Sequence, residues 1–194
     1  MPIAINGSGT VTGISVGGLP DGIVDTDMIA SNAVTSAKRG AGAILQAVTK
    51  KTTTEVSHSN ASAQDYIVLT SDAITVSAGS TLLVFGNYHF WMQEGADNSF
   101  HGRQYLQREI GGNDSWSDIR SAGTATFELA HTGNTINNLC YLVPVNAIYT
   151  HGQSAGTSIK VRIVHRSVQP GTTDLLVFQR NSNETNLTIM EVAG

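Results

Sequence analysis

Side chains capable of acid–base chemistry crowd one segment of the sequence. This segment holds five carboxylates: Glu94, Asp97, Glu109, Asp114 and Asp118. Two facing carboxylates are the machinery of glycoside hydrolysis, one acting as acid and the other as base or nucleophile. Asp is also common in the loops between strands because it favours turns. We favour the second interpretation and expect no enzyme activity.

Residues that could bind a metal or act as a nucleophile show no functional spacing. The histidines are scattered: His58, His89, His101, His131, His151 and His165. Asp25 and Asp27 could begin a calcium loop, but Ile29 stands at the next alternate position and no Gly–Glu pattern follows. Cys140 is the single cysteine, so neither an internal disulfide nor a cysteine-based metal site can form. We expect no cofactor and no metal, although symmetric copies of one histidine could share an ion on an axis.

The composition excludes several classes of partner. Charged residues make up 13% of the 194 residues, about half the usual share of ~25%. The net charge of −4 leaves no basic footprint for nucleic acid. No apolar run reaches the ~20 residues of a membrane span, and the first residues, "MPIAINGSGTVTG", lack the regions of a secretory signal. We expect neither nucleic-acid binding nor membrane insertion.

The elements that must position any site are strands. From about residue 64 to residue 194, nine strand-like segments alternate with turns: "DYIVL", "ITVS", "STLLVFGNYHFWM", "GRQYLQREI", "GTATFELAH", "NNLCYLVPV", "SIKVRIVHRS", "DLLVFQ" and "TNLTIMEVAG". In the clearest one, Ile159, Val161 and Ile163 alternate with Lys160 and Arg162. No segment has a convincing helical pattern. The sequence therefore predicts an all-β, antiparallel jelly-roll sandwich as a C-terminal head.

The preceding residues have a different character. Residues 1–43 contain no aromatic side chain and cannot build a conventional core alone. Within them, "VDTDMIASNA" aligns over "VTSAKRGAGA", with Val24 above Val34. A flexible linker would be poorer in Ile, Met and Val, so we predict a thin arm whose apolar residues find partners on identical neighbouring chains. Residues 44–63 are predicted to form a hinge and first strand, and residues 64–194 the head.

Both ends of the sequence resemble a known group of proteins. "INGSGTVTGISVGGLPDG", "DTDMIASNAVTSAK" and "ILQAVTKKTTTEV" resemble the start of tail-fibre and related virion proteins of tailed bacteriophages. "IKVRIVHRS" and "GTTDLLVFQRNSNETNLTIMEVAG" are similar to the closing strands of fibre heads. The resemblance implies a virion protein made in the host cytoplasm. It also implies a homotrimer with a slender three-chain shaft and a jelly-roll head like those of C1q and tumour necrosis factor.

The resemblance assigns roles to particular residues. The shaft would pack four side chains around a three-fold axis: Val24, Met28, Ile29 and Val34. The arm would dock on other virion proteins, of the tail or of the capsid, through five others: Ile3, Ile5, Val11, Ile14 and Val16. Loops of the head would contact a glycan or protein of the host cell surface through four more: Asn98, Phe100, Asn113 and Trp116. Trp116 is the expected anchor, because an exposed Trp offers a flat apolar face.

Four functions remain open at this point. The first is a tail fibre with a receptor-binding head. The second is a capsid decoration or cement protein, in which the same trimeric head is anchored to the shell; an arm this short for a reaching fibre favours it. An enzyme such as a depolymerase and a non-viral C1q-like binding module are less favoured, the latter because a secretion signal is lacking.

Overall fold

The computed structural model describes residues 4–5, 11–12, 38–59, 64–93, 99–119, 127–132, 139–167 and 175–194. The chain divides into two compact units, Met1–Arg39 and Gly40–Gly194. In the first unit, two short strands, β1 (Ala4–Ile5) and β2 (Val11–Thr12), pair antiparallel, with Ile5 opposite Val11.

Most of the residues predicted to serve the arm fall outside this description. They are Ile3, Ile14, Val16, Val24, Met28, Ile29 and Val34. For Ile5 and Val11 the structure gives the strand but not the surroundings of the side chain. The shaft and the docking site therefore stay predictions.

The second unit is built from strands. They are β3 (Ile44–Thr52), β4 (Val56–Ser59), β5 (Asp65–Thr70), β6 (Ile74–Val76), β7 (Thr81–Gln93), β8 (Ser99–Ile110), β9 (Trp116–Asp118), β10 (Phe127–Thr132), β11 (Leu139–Thr150), β12 (Thr157–Ser167), β13 (Leu175–Phe178) and β14 (Thr185–Val192). The described residues contain no α-helix, and a short 3-10 turn lies at Arg180–Ser182. Each of the nine predicted strands is present, which confirms the all-β prediction.

Two antiparallel sheets of six strands each form the sandwich, and the one with more residues in its strands is called the larger. The larger has the order β3-β14-β7-β13-β4, with β11 pairing along the other edge of β7. The smaller has the order β10-β8-β12-β5, with β6 beside β12 and β9 beside β8. The segment predicted as a hinge and first strand, residues 44–63, contributes two strands, β3 and β4, to the larger sheet.

The pairing of the eight main strands defines a jelly roll. The first of them pairs with the last, β3 with β14, and the second with the seventh, β5 with β12. The third then pairs with the sixth, β7 with β11, and the fourth with the fifth, β8 with β10. This nested winding of the chain into two sheets is the jelly-roll arrangement, and it confirms the predicted fold.

The core lies between the two sheets. The alternation predicted for β12 is confirmed, since Ile159, Val161 and Ile163 are fully buried. Phe90 and Leu187 meet them from the larger sheet. Burial of each such side chain contributes about 1.5–3 kcal/mol, so the shared core fixes which face of every strand points outward.

One polar pair lies within this core. The phenol oxygen of Tyr88 is 3.0 Å from Nδ1 of His165, and both residues are almost completely buried. Burial disfavours the charged imidazolium and lowers the pKa of His165 to about 4. His165 is therefore neutral at pH 7.

Candidate functional site

Trp116, the expected receptor anchor, lies in strand β9 and not in a loop. It is opposite Glu109 of β8 and is half-buried. The guanidinium of Arg162 stacks on its ring, with Cζ 4.2 Å from the ring centre. One face of the indole is therefore occupied by the protein's own cation, a favourable arrangement of charge and π-system.

The support of Arg162 continues into neighbouring strands. Its Nε donates a hydrogen bond of 2.9 Å to Oε1 of Gln107, whose Nε2 donates one of 3.0 Å to Oδ1 of Asp118. Arg166 stacks in the same way on Tyr105, at 4.7 Å, and forms an ion pair with Asp65. The hydrogen bonds that Arg166 donates to Asp65 raise the pKa of Arg166, so this cation is permanently charged.

Together these side chains cover the outer surface of the smaller sheet. We call this surface the small-sheet face and define it by four residues: Tyr105, Trp116, Arg162 and Arg166. Its charged groups already have partners within the chain. The other predicted contacts are less well placed: Asn113 lies exposed in the turn before β9, the side chain of Phe100 is not described, and Asn98 lies outside the described residues.

The carboxylates that suggested hydrolysis serve the fold where the structure describes them. Glu109 is buried, faces Lys160 at 3.6 Å and accepts a hydrogen bond from the backbone of Asp114 at 3.3 Å. Asp118 accepts from Gln107. Glu94 and Asp97 lie outside the described residues.

The larger sheet presents an outer surface of a different kind. Large apolar side chains stand in the open there, with exposed fractions of 57% for Ile44, 42% for Phe85, 65% for Leu142 and 75% for Ile148. The strand register places Ile148 beside Leu83, and residues opposite each other in a sheet share a face. We call the surface formed by these four exposed residues the large-sheet face.

The large-sheet face is continuous across strands. Met190 of β14 lies opposite Leu83 on the side away from Ile148, and Asn146 lies opposite Phe85. A shallow depression is lined by Leu83, Phe85, Asn146 and Ile148. Contiguous exposed apolar surface marks an interaction site in most proteins that carry it.

Sequence reasoning missed this face although the signal was present. In β11, Val143 and Val145 point into the core, while Leu142 and Ile148 point outward. A strand with one face in water alternates apolar with polar residues, whereas a strand covered on both faces is apolar throughout. Apolar residues occupy both the inward-facing and the outward-facing positions of β7 and β11. The sequence therefore indicated that the outer face of these strands is covered.

A buried Ser–His–Glu cluster lies at one end of the sandwich. Ser80 Oγ is 2.9 Å from Nε2 of His151 and 2.6 Å from Oε1 of Glu191. The backbone N–H of Gln153 donates to Nδ1 of His151 at 2.9 Å, so the ring proton is on Nε2 and is donated to Ser80. Ser80 in turn donates to Glu191. A hydrolase serine must instead give its proton to the histidine, so this cluster is structural.

The charge state of Glu191 agrees with this direction of hydrogen bonding. Burial by itself would raise the pKa of Glu191, but the hydrogen bonds that it accepts from Ser80, Gln46 and Ser77 lower it. Burial lowers the pKa of His151. The cluster thus holds an anionic acceptor and a neutral imidazole at pH 7.

The described part of the chain holds neither a metal-binding cluster nor a membrane-spanning helix. No group of three or more His, Cys, Asp or Glu side chains there could hold a metal ion. No helix in the same residues is long and apolar enough to cross a bilayer.

Comparisons with known proteins give only distant likeness. No protein-family model matches the sequence, and no curated protein sequence does. The structure of infectious bursal disease virus, Gx strain, matches with a TM-score of 0.36 and 16% identity, over 78% of this chain and 33% of that one. The Eiger TNF structure from S. frugiperda matches with a TM-score of 0.30 and 12% identity, over 68% of this chain and 90% of that one. The chain thus spans about a third of the virus chain. With TM-scores this low, the fold assignment rests on the strand pairing itself.

Proposed function

We propose that this chain is a structural protein of a bacteriophage virion, a homotrimeric tail fibre with a receptor-binding head. The resemblance of both sequence ends to fibre proteins suggests the class. The observation that carries the proposal is the large-sheet face, because a sandwich that leaves this surface bare needs a partner to cover it. The jelly roll serves as a rigid support and not as a catalyst.

Identical copies are the partner we propose. The four residues that define the face are apolar, so another apolar surface would cover them best. Burying each of these side chains would contribute about 1.5–3 kcal/mol. The arm has the same need, since Val24, Met28, Ile29 and Val34 have no aromatic residue near them in the sequence.

Introducing negative charge into the arm tests whether the arm contributes to assembly. In the variant Val24→Asp with Val34→Asp, carboxylates would be buried without partners and the trimer should weaken. Light scattering at micromolar concentration measures the mass. Serine at the same two positions is the matched control, because it removes the methyl groups without adding charge and should weaken the trimer less.

Receptor binding is assigned to the turn and strand that carry Asn113 and Trp116. The exposed part of the indole gives a sugar ring or a protein groove an apolar contact, and Arg162 holds the ring in place. We expect Trp116→Ala particles to assemble normally but to adsorb poorly to host cells. Arg162→Lys, which keeps the charge but loses the planar stack, should have an intermediate effect. Unchanged adsorption by both variants would reject this role.

A capsid decoration protein is the second candidate, and one observation favours it. The small-sheet face has its cations paired and one side of Trp116 covered, which leaves little polar surface for a ligand. The copy number in purified particles separates the candidates. Quantitative mass spectrometry would find tens of trimers per particle for decoration and a handful for a tail fibre.

A further inference from the structure

The one cysteine of the chain is in contact with a histidine. Cys140 lies near the start of β11, is exposed, and has Trp91 as its cross-strand neighbour. Its Sγ is 2.7 Å from Nε2 of His89, which lies one diagonal step away on β7. These residues are 51 positions apart in the sequence, and only the β7–β11 register brings them together.

His89 is placed to exchange a proton with this thiol. It exposes only 9% of its surface, and its Nδ1 is buried without a hydrogen-bond partner in the described part of the chain. Nε2 is therefore the atom through which the ring can take up a proton. Burial lowers the pKa of His89, so the ring is neutral at pH 7.

An amide contacts the pair, and a cation stacks on Trp91, the cross-strand neighbour of Cys140. Asn183, from the turn before β14, places Nδ2 3.4 Å from Nε2 of His89. Arg180 stacks on Trp91 with Cζ 3.7 Å from the ring centre. The neighbouring carboxylate, Glu184, faces Lys51 at 3.2 Å. An exposed cysteine in contact with an imidazole is a setting in which a thiol can react with electrophiles.

We propose that Cys140 and His89 form an activated thiol, a site for covalent modification by disulfides and other soft electrophiles. The thiol proton passes to Nε2 of His89, and the thiolate attacks one sulfur of a disulfide R–S–S–R. The Cys140–S bond to that sulfur forms as the original S–S bond breaks. The departing thiolate takes the proton, so electrons and atoms balance without another oxidant. This inference does not rest on the proposed virion function.

The reaction can be followed without ambiguity because Cys140 is the only thiol. A nitrothiobenzoate disulfide, which releases a coloured thiolate, gives the second-order rate at pH 7 for the native chain and for the chain unfolded in urea. We expect the native reaction to be about threefold faster than the unfolded one, because only the folded chain places His89 where it can take the thiol proton.

Two histidine variants test whether the faster reaction of Cys140 depends on the imidazole of His89. We expect His89→Gln, which can still contact the sulfur but accepts no proton, to bring the native rate down to the unfolded rate or below it. His58→Gln is the matched control, since His58 packs on Tyr66 with ring centres 4.5 Å apart and has no contact with the thiol. Its native rate should equal that of the unmodified chain.

Two results would overturn the proposal. One is a native rate equal to or below the unfolded rate in the unmodified chain, a comparison that needs no variant to fold. The other is a His89→Gln variant with an unchanged rate and an unchanged circular dichroism spectrum. The virion proposal makes no use of the thiol, so failure here leaves it standing.

Discussion

The two outer faces of the sandwich differ in whether the chain itself covers their aromatic and apolar side chains. On the small-sheet face, Arg162 and Arg166 lie over Trp116 and Tyr105, and the side chains beside them hold the guanidinium groups in place. On the large-sheet face, Ile148 and its neighbours stand in the open with nothing from the described chain above them. Both faces belong to one core and differ only in what covers them.

Only one of the two faces needs a partner to cover it. Aromatic rings covered by arginine are already packed, so the small-sheet face is complete within one chain. Exposed isoleucine, leucine and phenylalanine side chains gain nothing until another surface removes them from water. We therefore assign assembly to the large-sheet face and expect changes on the small-sheet face to leave assembly intact.

The largest expected effect is on assembly, and it follows a change at Ile148 of the large-sheet face. Ile148→Asp should abolish the oligomer, because each copy would bury an unpaired carboxylate at a cost of about 2 kcal/mol or more. Ile67→Asp is the matched control, since Ile67 is 56% exposed but lies on the strand β5 of the smaller sheet. Light scattering should give a monomer for the first variant and an unchanged mass for the second. Equal loss of mass in both would remove the distinction between the faces.

Acid should act on the core that both faces share. His165 has the same protonation above pH 6.5 in folded and unfolded chains, but between pH 6.5 and about pH 4 only the unfolded chain takes up a proton. The free energy of unfolding should therefore fall by up to about 3 kcal/mol as the pH falls through this window. Urea unfolding at pH 7 and pH 4.5 measures the loss.

A variant separates His165 from the other titrating groups. His165→Gln should flatten much of this acid limb while lowering the stability at pH 7, because the contact with Tyr88 changes. Where acid unfolds the chain, the fold and the oligomer should be lost together. Ile148→Asp, by contrast, should remove the oligomer and leave the fold. An acid limb that is unchanged in His165→Gln would contradict this account of the core.

The smallest effect belongs to the small-sheet face. Arg162→Ala removes the stack on Trp116 and the hydrogen bond to Gln107, and we expect it to lower the free energy of unfolding by about 1 kcal/mol. The mass of the protein should not change. A loss of assembly in this variant would show that the small-sheet face is also an interface.

Sequence alone predicted the strands well because their cause is local. The alternation of Ile159, Val161 and Ile163 with charged residues needs only the period of a strand. Strand β9 was missed because its three residues are too short to show a period, and Trp116 was read as a loop residue for that reason.

The sites could not be predicted because they depend on register. Nothing near Cys140 in the sequence announces His89, and nothing near Trp116 announces Arg162; both contacts follow from which strands pair and at which residue. The large-sheet face was within reach, since Leu142 and Ile148 are outward-facing apolar residues in a run that we read only as buried.

The mass of the unmodified chain in solution shows whether copies of the chain cover the large-sheet face. Multi-angle light scattering at micromolar concentration should give three times the chain mass of 20.5 kDa, because three copies cover one another's large-sheet faces. A mass of 20.5 kDa at that concentration would mean that the apolar face is stable in water by itself, and it would contradict the account.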